Sequence, residues 1–235
     1  MMEKFSLSVS VYSKKIRIIH YLFLLLFFMN LLSIFFKYIL GHPHVYGFVP
    51  LFDFDSENNI PTYFSSIILL ISAVLLKIIA IFKKSISDDF HLNWSVLSFI
   101  FLWMSVDESS KIHELLSEPI KNLFDLPRIF NYAWVILGTL FILILFIFYY
   151  KFLLNLPKKT MFYFVVAGLV FVTGAIGVET ISGYYRYVSV EKDFIYTIMI
   201  TIEESFEMLG VIIFINGLFQ YAEDNISRIK LKFEP

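Results

Sequence analysis

Six stretches of this chain, residues 18–40, 64–82, 94–116, 132–154, 161–184 and 194–219, are each close to twenty residues long and apolar almost throughout. About 20 such residues in a helix cross the hydrocarbon core of a bilayer. Within that core every backbone N–H and C=O must find its partner inside the protein, which a helix achieves alone and a single strand does not. The runs therefore predict an all-α fold: a polytopic bundle of six transmembrane helices. The connections are short, so residues 1–235 read as a single integral membrane domain whose principal partner is the lipid bilayer. The composition agrees, with 58% hydrophobic residues against roughly 45–50% in soluble domains.

Lys and Arg set the expected orientation. Placing the N-terminus in the cytoplasm puts Lys4, Lys14, Lys15, Arg17, Lys77, Lys83, Lys84, Lys151, Lys158, Lys159, Arg228, Lys230 and Lys232 on the inner side. Only Lys37, Lys111, Lys121, Arg128, Arg186 and Lys192 fall on the outer side. An even number of spans then returns the C-terminus to the cytoplasm. Leu40-Gly-His-Pro-His44 is a poor cleavage site, so the first run reads as an uncleaved helix. The net charge of −1 gives no sign of nucleic-acid binding, and the absence of Cys excludes disulfides and thiolate chemistry.

The last apolar run is interrupted by Glu203, Glu204 and Glu207. An acid near the centre of a spanning helix costs roughly 2.5–3.5 kcal/mol, so three left uncompensated would cost about 8–10 kcal/mol. Intramembrane acids are expected to face the bundle interior and to meet a cation, a proton or a hydrogen-bond donor. The third run carries more acids near its outer end, in Ser105-Val-Asp107-Glu108-Ser-Ser110-Lys111-Ile-His113-Glu114. On a continuous helix Asp107, Ser110, Lys111 and Glu114 share a face. The fifth run ends near Glu179. At 1.5 Å per residue Glu203 and Glu204 sit roughly 14 Å below the outer boundary, with Glu207 about one turn deeper. Glu203 and Glu207 share a face with Gly210, which permits close helix approach.

These placements converge on one expectation: a buried, carboxylate-rich site toward the outer leaflet. Its candidate metal ligands are Asp107, Glu108, His113, Glu114, Glu179, Glu203, Glu204 and Glu207. Of these, Glu203, Glu207 and Asp107 are also candidate catalytic groups. Seven carboxylates beside Lys111 and His113 cannot all be ionised in a dry bundle. Protonation, a water-filled vestibule or a divalent metal would resolve this. Carboxylates with an imidazole suit Zn, Mn or Fe better than Ca or Mg.

The remaining features are weaker. Asp53-x-Asp55-x-Glu57 starts like a calcium loop but lacks the Gly and the final acid of an EF-hand. His42 and His44 read as solvated, His20 and Asn30 as interhelical hydrogen-bonding groups, and His91 with Trp94 as an interfacial helix start. Pro61 suits the first turn of the second helix. The second outer loop, Ser117 to Asn131, contains Pro119 and Pro127 and reads as a short interfacial segment. No zinc-protease, serine-hydrolase, phosphate-loop or dinucleotide motif is present, and Ser110 stands where a di-iron Glu-x-x-His motif needs Glu.

Leu51-Phe-Asp53-Phe-Asp55-Ser-Glu57-Asn-Asn-Ile-Pro61-Thr-Tyr-Phe-Ser-Ser66, Ser105-Val-Asp107-Glu108-x4-His113-Glu114 and Glu203-Glu204-Ser-Phe-Glu207-Met-Leu-Gly210 resemble a group of uncharacterised bacterial multi-pass membrane proteins. The resemblance implies a bacterial inner-membrane location and brings no activity with it. Three classes of function stay open on the sequence: a metal-dependent membrane enzyme acting on a hydrophobic substrate, a cation or proton transporter, and a structural or assembly protein.

Overall fold

A computed structural model describes residues 12–56, 58–189 and 191–226, with side chains from Arg17 onward. Lys4, Glu57, Arg228, Lys230 and Lys232, and the side chains of Lys14 and Lys15, lie outside the described residues. The described chain is all-α. In order it forms α1 (Tyr12–Ile34), a π-helical extension (Phe35–Ile39), the short α2 (Phe48–Phe52), α3 (Ile60–Ser85), α4 (His91–Ser110), α5 (Ile112–Leu123), α6 (Trp134–Asn155), α7 (Lys158–Val172), a π-helical segment (Thr173–Val178), α8 (Glu179–Ser189) and α9 (Phe194–Asn225).

Four helical stretches are long and apolar enough to cross a membrane: Arg17–Ile39, Ile60–Ser85, Trp134–Asn155 and Lys158–Ser189. The sequence reading put spans at 94–116 and 194–219 as well. Helices stand at both places, but their composition falls short. α9 carries three glutamates in its first half and Asn216, Gln220, Glu223 and Asp224 in its second. α4 carries His91, Asn93, several serines, Asp107 and Glu108. For α9 the cost of those polar groups is met by enclosure. α9, about 48 Å long at 1.5 Å per residue, is packed by α1, α3, α7, α8 and the π segment at 173–178, and fifteen of its residues are buried. α6 is the opposite case, showing Leu140, Leu143, Phe146, Ile147 and Phe148 on its surface.

Local signals explain the helix limits. Asn59 caps α3 by accepting the Thr62 N–H at 3.1 Å, and Pro61 occupies the first turn, where its missing N–H costs nothing. Asp193 caps α9 by accepting the Tyr196 N–H at 2.9 Å. The third apolar run does not continue to residue 116. Lys111 adopts a left-handed conformation (φ 52°, ψ 40°), ending α4 at Ser110 and starting α5 at Ile112. Asp107, Ser110, Lys111 and Glu114 therefore do not lie along one continuous helix face. The first half of the expected interfacial segment is the end of the amphipathic α5, which accommodates Pro119, and the rest is irregular apart from a short turn at Arg128–Phe130.

Two seams hold the bundle. α3 and α4 are stitched by hydroxyls: Ser66 Oγ donates to Ser105 O at 2.7 Å, Ser105 Oγ to Ser66 O at 2.8 Å, and Ser98 Oγ to Ala73 O at 2.8 Å. α7 and α9 approach through glycine. A Cβ on Gly210 would stand 2.8 Å from Phe171 backbone and side-chain atoms, and one on Gly217 would stand 2.7 Å from Tyr163 Cβ. One apolar cluster, including Leu76, Trp94, Phe152, Phe164 and Leu218, fills the lysine-rich end. A second, including Phe23, Phe64, Ile68, Met208 and Ile212, lies beside the acids. Trp94, in the first turn of α4, is 1% exposed and packs on Phe152 and Tyr221.

Candidate functional site

The acids of α9 meet those of α4 and α8 in one place. Glu204 acts electrostatically on Glu108, Glu203 and Glu179, and Glu207 on Glu204, Glu108, Glu203 and Glu179. The cation Lys111 acts on Glu108, Glu179, Glu203 and Glu204, and His113 acts on Glu108. Both Glu179 and Glu203 are 8% exposed. Each has one good hydrogen bond: Trp134 Nε1 donates to Glu179 Oε1 at 2.7 Å, and Ser182 Oγ donates to Glu203 Oε2 at 2.8 Å. Ser65 on α3 is a polar neighbour of Glu108.

Backbone irregularity makes the convergence possible. The π segment at Thr173–Val178 sits immediately before Glu179, a placement common for π-bulges at functional sites. Gly174 within it lies against α9: a Cβ there would stand 2.8 Å from Glu203 O, 3.0 Å from Phe206 Cβ and 3.1 Å from Glu207 Cγ. Only a residue without a side chain lets α9 come this close at the level of its acids.

The break at Lys111 builds the other wall. It folds α5 back so that Asp107 receives two hydrogen bonds from one residue, from His113 N to Oδ1 at 2.9 Å and between His113 Nδ1 and Oδ2 at 2.5 Å. With Nδ1 committed to Asp107, Nε2 is the nitrogen left for a ligand or proton. Trp134 packs on the imidazole with ring centroids 4.6 Å apart. The indole thus bridges His113 and Glu179. Each oxygen of Asp107 meets His113, so Asp107 orients the ring. Glu114 stands at the rim, its side chain 49% exposed and 3.0 Å from Lys111 Nζ.

Of the sequence candidates, Glu108, Glu179, Glu203, Glu204 and Glu207 come together, with Asp107 and His113 as a pair on the adjoining wall and Glu114 at the edge. Among the described residues, no three His, Asp or Glu side chains are already arranged to grip a metal ion. His42 and His44 are exposed, as expected for solvated residues. Asn30 and His20 do make interhelical contacts, to Thr201 at 3.0 Å and to Asn216 at 3.3 Å. A cleft at the opposite end, between Lys83, Asp88, Asn155 and Tyr221, lies across the apolar core from the acids.

Sequence reasoning missed Trp134, Ser65, Ser182 and Gly174. Ser182 follows Glu179 by three residues and was findable as its helical neighbour. Trp134 and Ser65 approach across tertiary contacts and carry no local signal. It also missed an outer layer. Lys192 Nζ lies 2.9 and 2.8 Å from the two Asp55 oxygens, Lys37 Nζ lies 2.8 Å from Asp53, and the Tyr132 and Tyr196 hydroxyls are 3.1 Å apart.

No curated protein and no solved structure matches the chain. A family model described as a domain of unknown function, DUF8692, matches residues 19–222, a stretch that contains every acid of the cluster, the Asp107–His113 pair and both helix seams, and the chain therefore belongs to the DUF8692 family.

Proposed function

We propose that this protein is a six-span membrane protein of a bacterial inner membrane, with both termini cytoplasmic, that binds a divalent cation in its carboxylate site toward the outer leaflet and uses it on a hydrophobic substrate. α9 completes the spans as an interior helix enclosed by its neighbours, and α4 does so packed on α3, with Val96, Phe99, Leu102 and Trp103 on its outer face. The observation that carries the reading is the gathering of Glu108, Glu179, Glu203, Glu204 and Glu207 within electrostatic reach of one another. Like charges in a low-dielectric interior are mutually unfavourable, and a bound cation relieves the repulsion.

His113 supports a transition metal, Zn, Mn or Fe, over Ca or Mg. A histidine whose second nitrogen is held by a carboxylate is the usual outer arrangement of a metal ligand. Such an ion would supply Lewis acidity. Glu203, hydrogen-bonded to Ser182, and Glu207 are the groups placed to hold or move a proton beside it, and Asp107 positions His113. Cation or proton transport is the competing reading, and it needs access from both faces. Past Glu207, α9 presents Val211, Ile212, Ile215 and Leu218 to closed apolar clusters, which favours a site open at one end.

The test is metal analysis of the purified protein beside Glu203→Gln and Glu207→Gln. The wild type is expected to retain a stoichiometric transition metal and the variants to lose most of it while assembling normally. A metal-free wild type that takes up neither Mn2+ nor Zn2+ would end this reading.

A further inference from the structure

We propose that the carboxylate site is entered sideways from the bilayer, through a slot between α4 and α6, by a long-chain amphiphile with a neutral or cationic polar end. The chain lies in the slot and the polar end meets Glu108, Glu204 and Glu207. The inference rests on the proposed function in taking this site to accept a hydrophobic ligand, and it adds the class of that ligand and its route.

α6 is fastened to the bundle near its two ends. At the acid end Trp134 donates to Glu179 and packs on His113, and Val135 is buried. At the lysine-rich end the Tyr149 hydroxyl donates to Asn93 O at 3.0 Å, and Phe152 packs edge-on against Trp94 with ring centroids 5.0 Å apart. Val135 and Tyr149 are about 21 Å apart along the helix, and every residue between them is at least partly exposed. That includes Gly138, Ile142 and Leu145, which continue the stripe that Val135, Tyr149 and Phe152 bury. The middle of α6 therefore stands off from the helices behind it.

Those helices lose cover at one level. On α4 the inward stripe passes from Trp94 and Leu97, both buried, to Phe101, Met104 and Glu108, all partly exposed. On α9 it passes from Leu218, Phe214 and Val211, buried, to Glu207 and Glu204, partly exposed. On α7 it passes from Phe164 and Ala167, buried, to Phe171, partly exposed. The space so outlined has a floor, because Phe214 stacks on Phe101 and packs on Phe164, with ring centroids 4.5 Å apart in both pairs. It also has a roof. The Trp134 indole lies back along its own helix, where a Cβ on Gly138 would stand 2.8 Å from the ring and 3.1 Å from Ile176 Cδ1, and the same indole covers His113. A space closed below and roofed above opens to the side, between the outward-facing Leu102 and Val106 of α4 and Leu140 and Ile144 of α6.

Two features select the occupant. Phe101, Met104, Ile142 and Leu145 make apolar walls that run on into the lipid-facing surfaces of α4 and α6, which suits a hydrocarbon chain and offers a water-soluble ligand no partner. At the inner end the glutamates outnumber Lys111 and His113 within their electrostatic reach, which favours a cationic or neutral polar end over an anionic one.

The full chain, reconstituted in phosphatidylcholine liposomes, is treated with dicyclohexylcarbodiimide, which partitions into the bilayer, or with a water-soluble cationic carbodiimide. Mass spectrometry follows the modification of each glutamate. The lipid-soluble reagent is expected to modify Glu108, Glu204 and Glu207, and the water-soluble one to favour Glu114 at the rim. Ile142→Trp fills the slot and is expected to slow the lipid-soluble reaction at the three inner glutamates by about tenfold or more, the effect of roughly 1.4 kcal/mol of added barrier. The rate at Glu114 should stay unchanged and report intact assembly. Leu143→Trp, on the outward face of α6, is expected to change neither rate, and Leu145→Phe is the plug should Ile142→Trp not assemble. Hexadecylamine in the bilayer is expected to protect the inner glutamates, and butylamine and palmitate are not. Equal lipid-soluble rates in the plugged chain and in Leu143→Trp, or water-soluble modification of Glu204 and Glu207 as fast as that of Glu114, would overturn the sideways entrance. Protection by palmitate equal to that by hexadecylamine would overturn the class of ligand. Mn2+ titration of the wild type, followed by the paramagnetic resonance of free Mn2+, separates this from the metal reading. Absence of Mn2+ uptake counts against the metal alone, because entry of a carbodiimide needs none.

Discussion

Gly210→Ala tests whether backbone contact between α7 and α9 sets the position of the acids. The added methyl carbon would stand 2.8 Å from Phe171 Cβ and N and 2.9 Å from its Cα. Carbon atoms pack best at about 3.5–4.0 Å, so the helices must part by roughly 0.7 Å or more at this level. Two of the three atoms are backbone, so no side-chain rotation relieves the clash. Overpacking of this kind costs about 1–3 kcal/mol, but Ala also gains about 1 kcal/mol over Gly in helix propensity. Gly168→Ala isolates the steric part. It lies on α7, with nothing within 4 Å of a Cβ, and carries the propensity gain alone. The difference between the two variants is therefore the steric cost. At about 2–4 °C per kcal/mol for a chain of this size, Gly210→Ala should melt roughly 2–12 °C below Gly168→Ala. Thermal unfolding of both in one detergent measures this directly. Because Gly210 lies less than one turn from Glu207, Gly210→Ala should also weaken Mn2+ binding, while Gly168→Ala should not. A Gly210→Ala protein that melts with or above Gly168→Ala would refute the claim that close approach is required here.

Three further outcomes are expected. Partial burial works against ionisation of Asp88, but the Lys83 hydrogen bond, the Phe90 N–H and the Lys83 charge outweigh it and hold the carboxyl below its ordinary value of 3.8. A lowered carboxyl contributes stability above its unfolded pKa and loses it as pH falls through the folded one. The melting gap between wild type and Asp88→Asn should therefore be wide at pH 7 and close below about pH 3.8; a gap unchanged down to pH 2 would contradict this. Asn30 is fully buried and serves both Thr201 and Phe54 N, so Asn30→Ala should lower unfolding stability by about 1–3 kcal/mol through the stranded Phe54 N–H, read by denaturant titration. Single cysteines at Glu57, Phe124 and Ser189 should label from outside intact cells, and protection at two of them would overturn the proposed orientation.

Several elements were legible without coordinates because their cause is local. The apolar runs had to become helices, since only a helix satisfies its own backbone in hydrocarbon. Pro61 announced the first turn of α3. Glu203, Glu204 and Glu207 announced a buried site through their insertion cost, and their spacing from Gly210 announced a close helix contact. The same reasoning failed at Lys111. Nothing in Asp-Glu-Ser-Ser-Lys-Ile-His-Glu marks a left-handed residue, because no Gly or Pro stands there, and the break follows from what α5 gains by folding back onto Asp107 and Trp134.

The sequence by itself determined that this chain is helical, that its apolar runs suit a lipid core, and that its acids needed an interior to face; it read six spans, where four helices in the structure are long and apolar enough to cross. Tertiary structure alone decided what that interior contains. Trp134 and Ser182 are paired to Glu179 and Glu203, Asp107 is paired with His113, and Asp55 is drawn onto Lys192 from 137 residues away. Each of these depends on how helices distant in sequence are set side by side. That setting comes from glycine contacts, a π-bulge and a chain reversal, whose effects extend through packing and leave no periodic trace in the order of the residues.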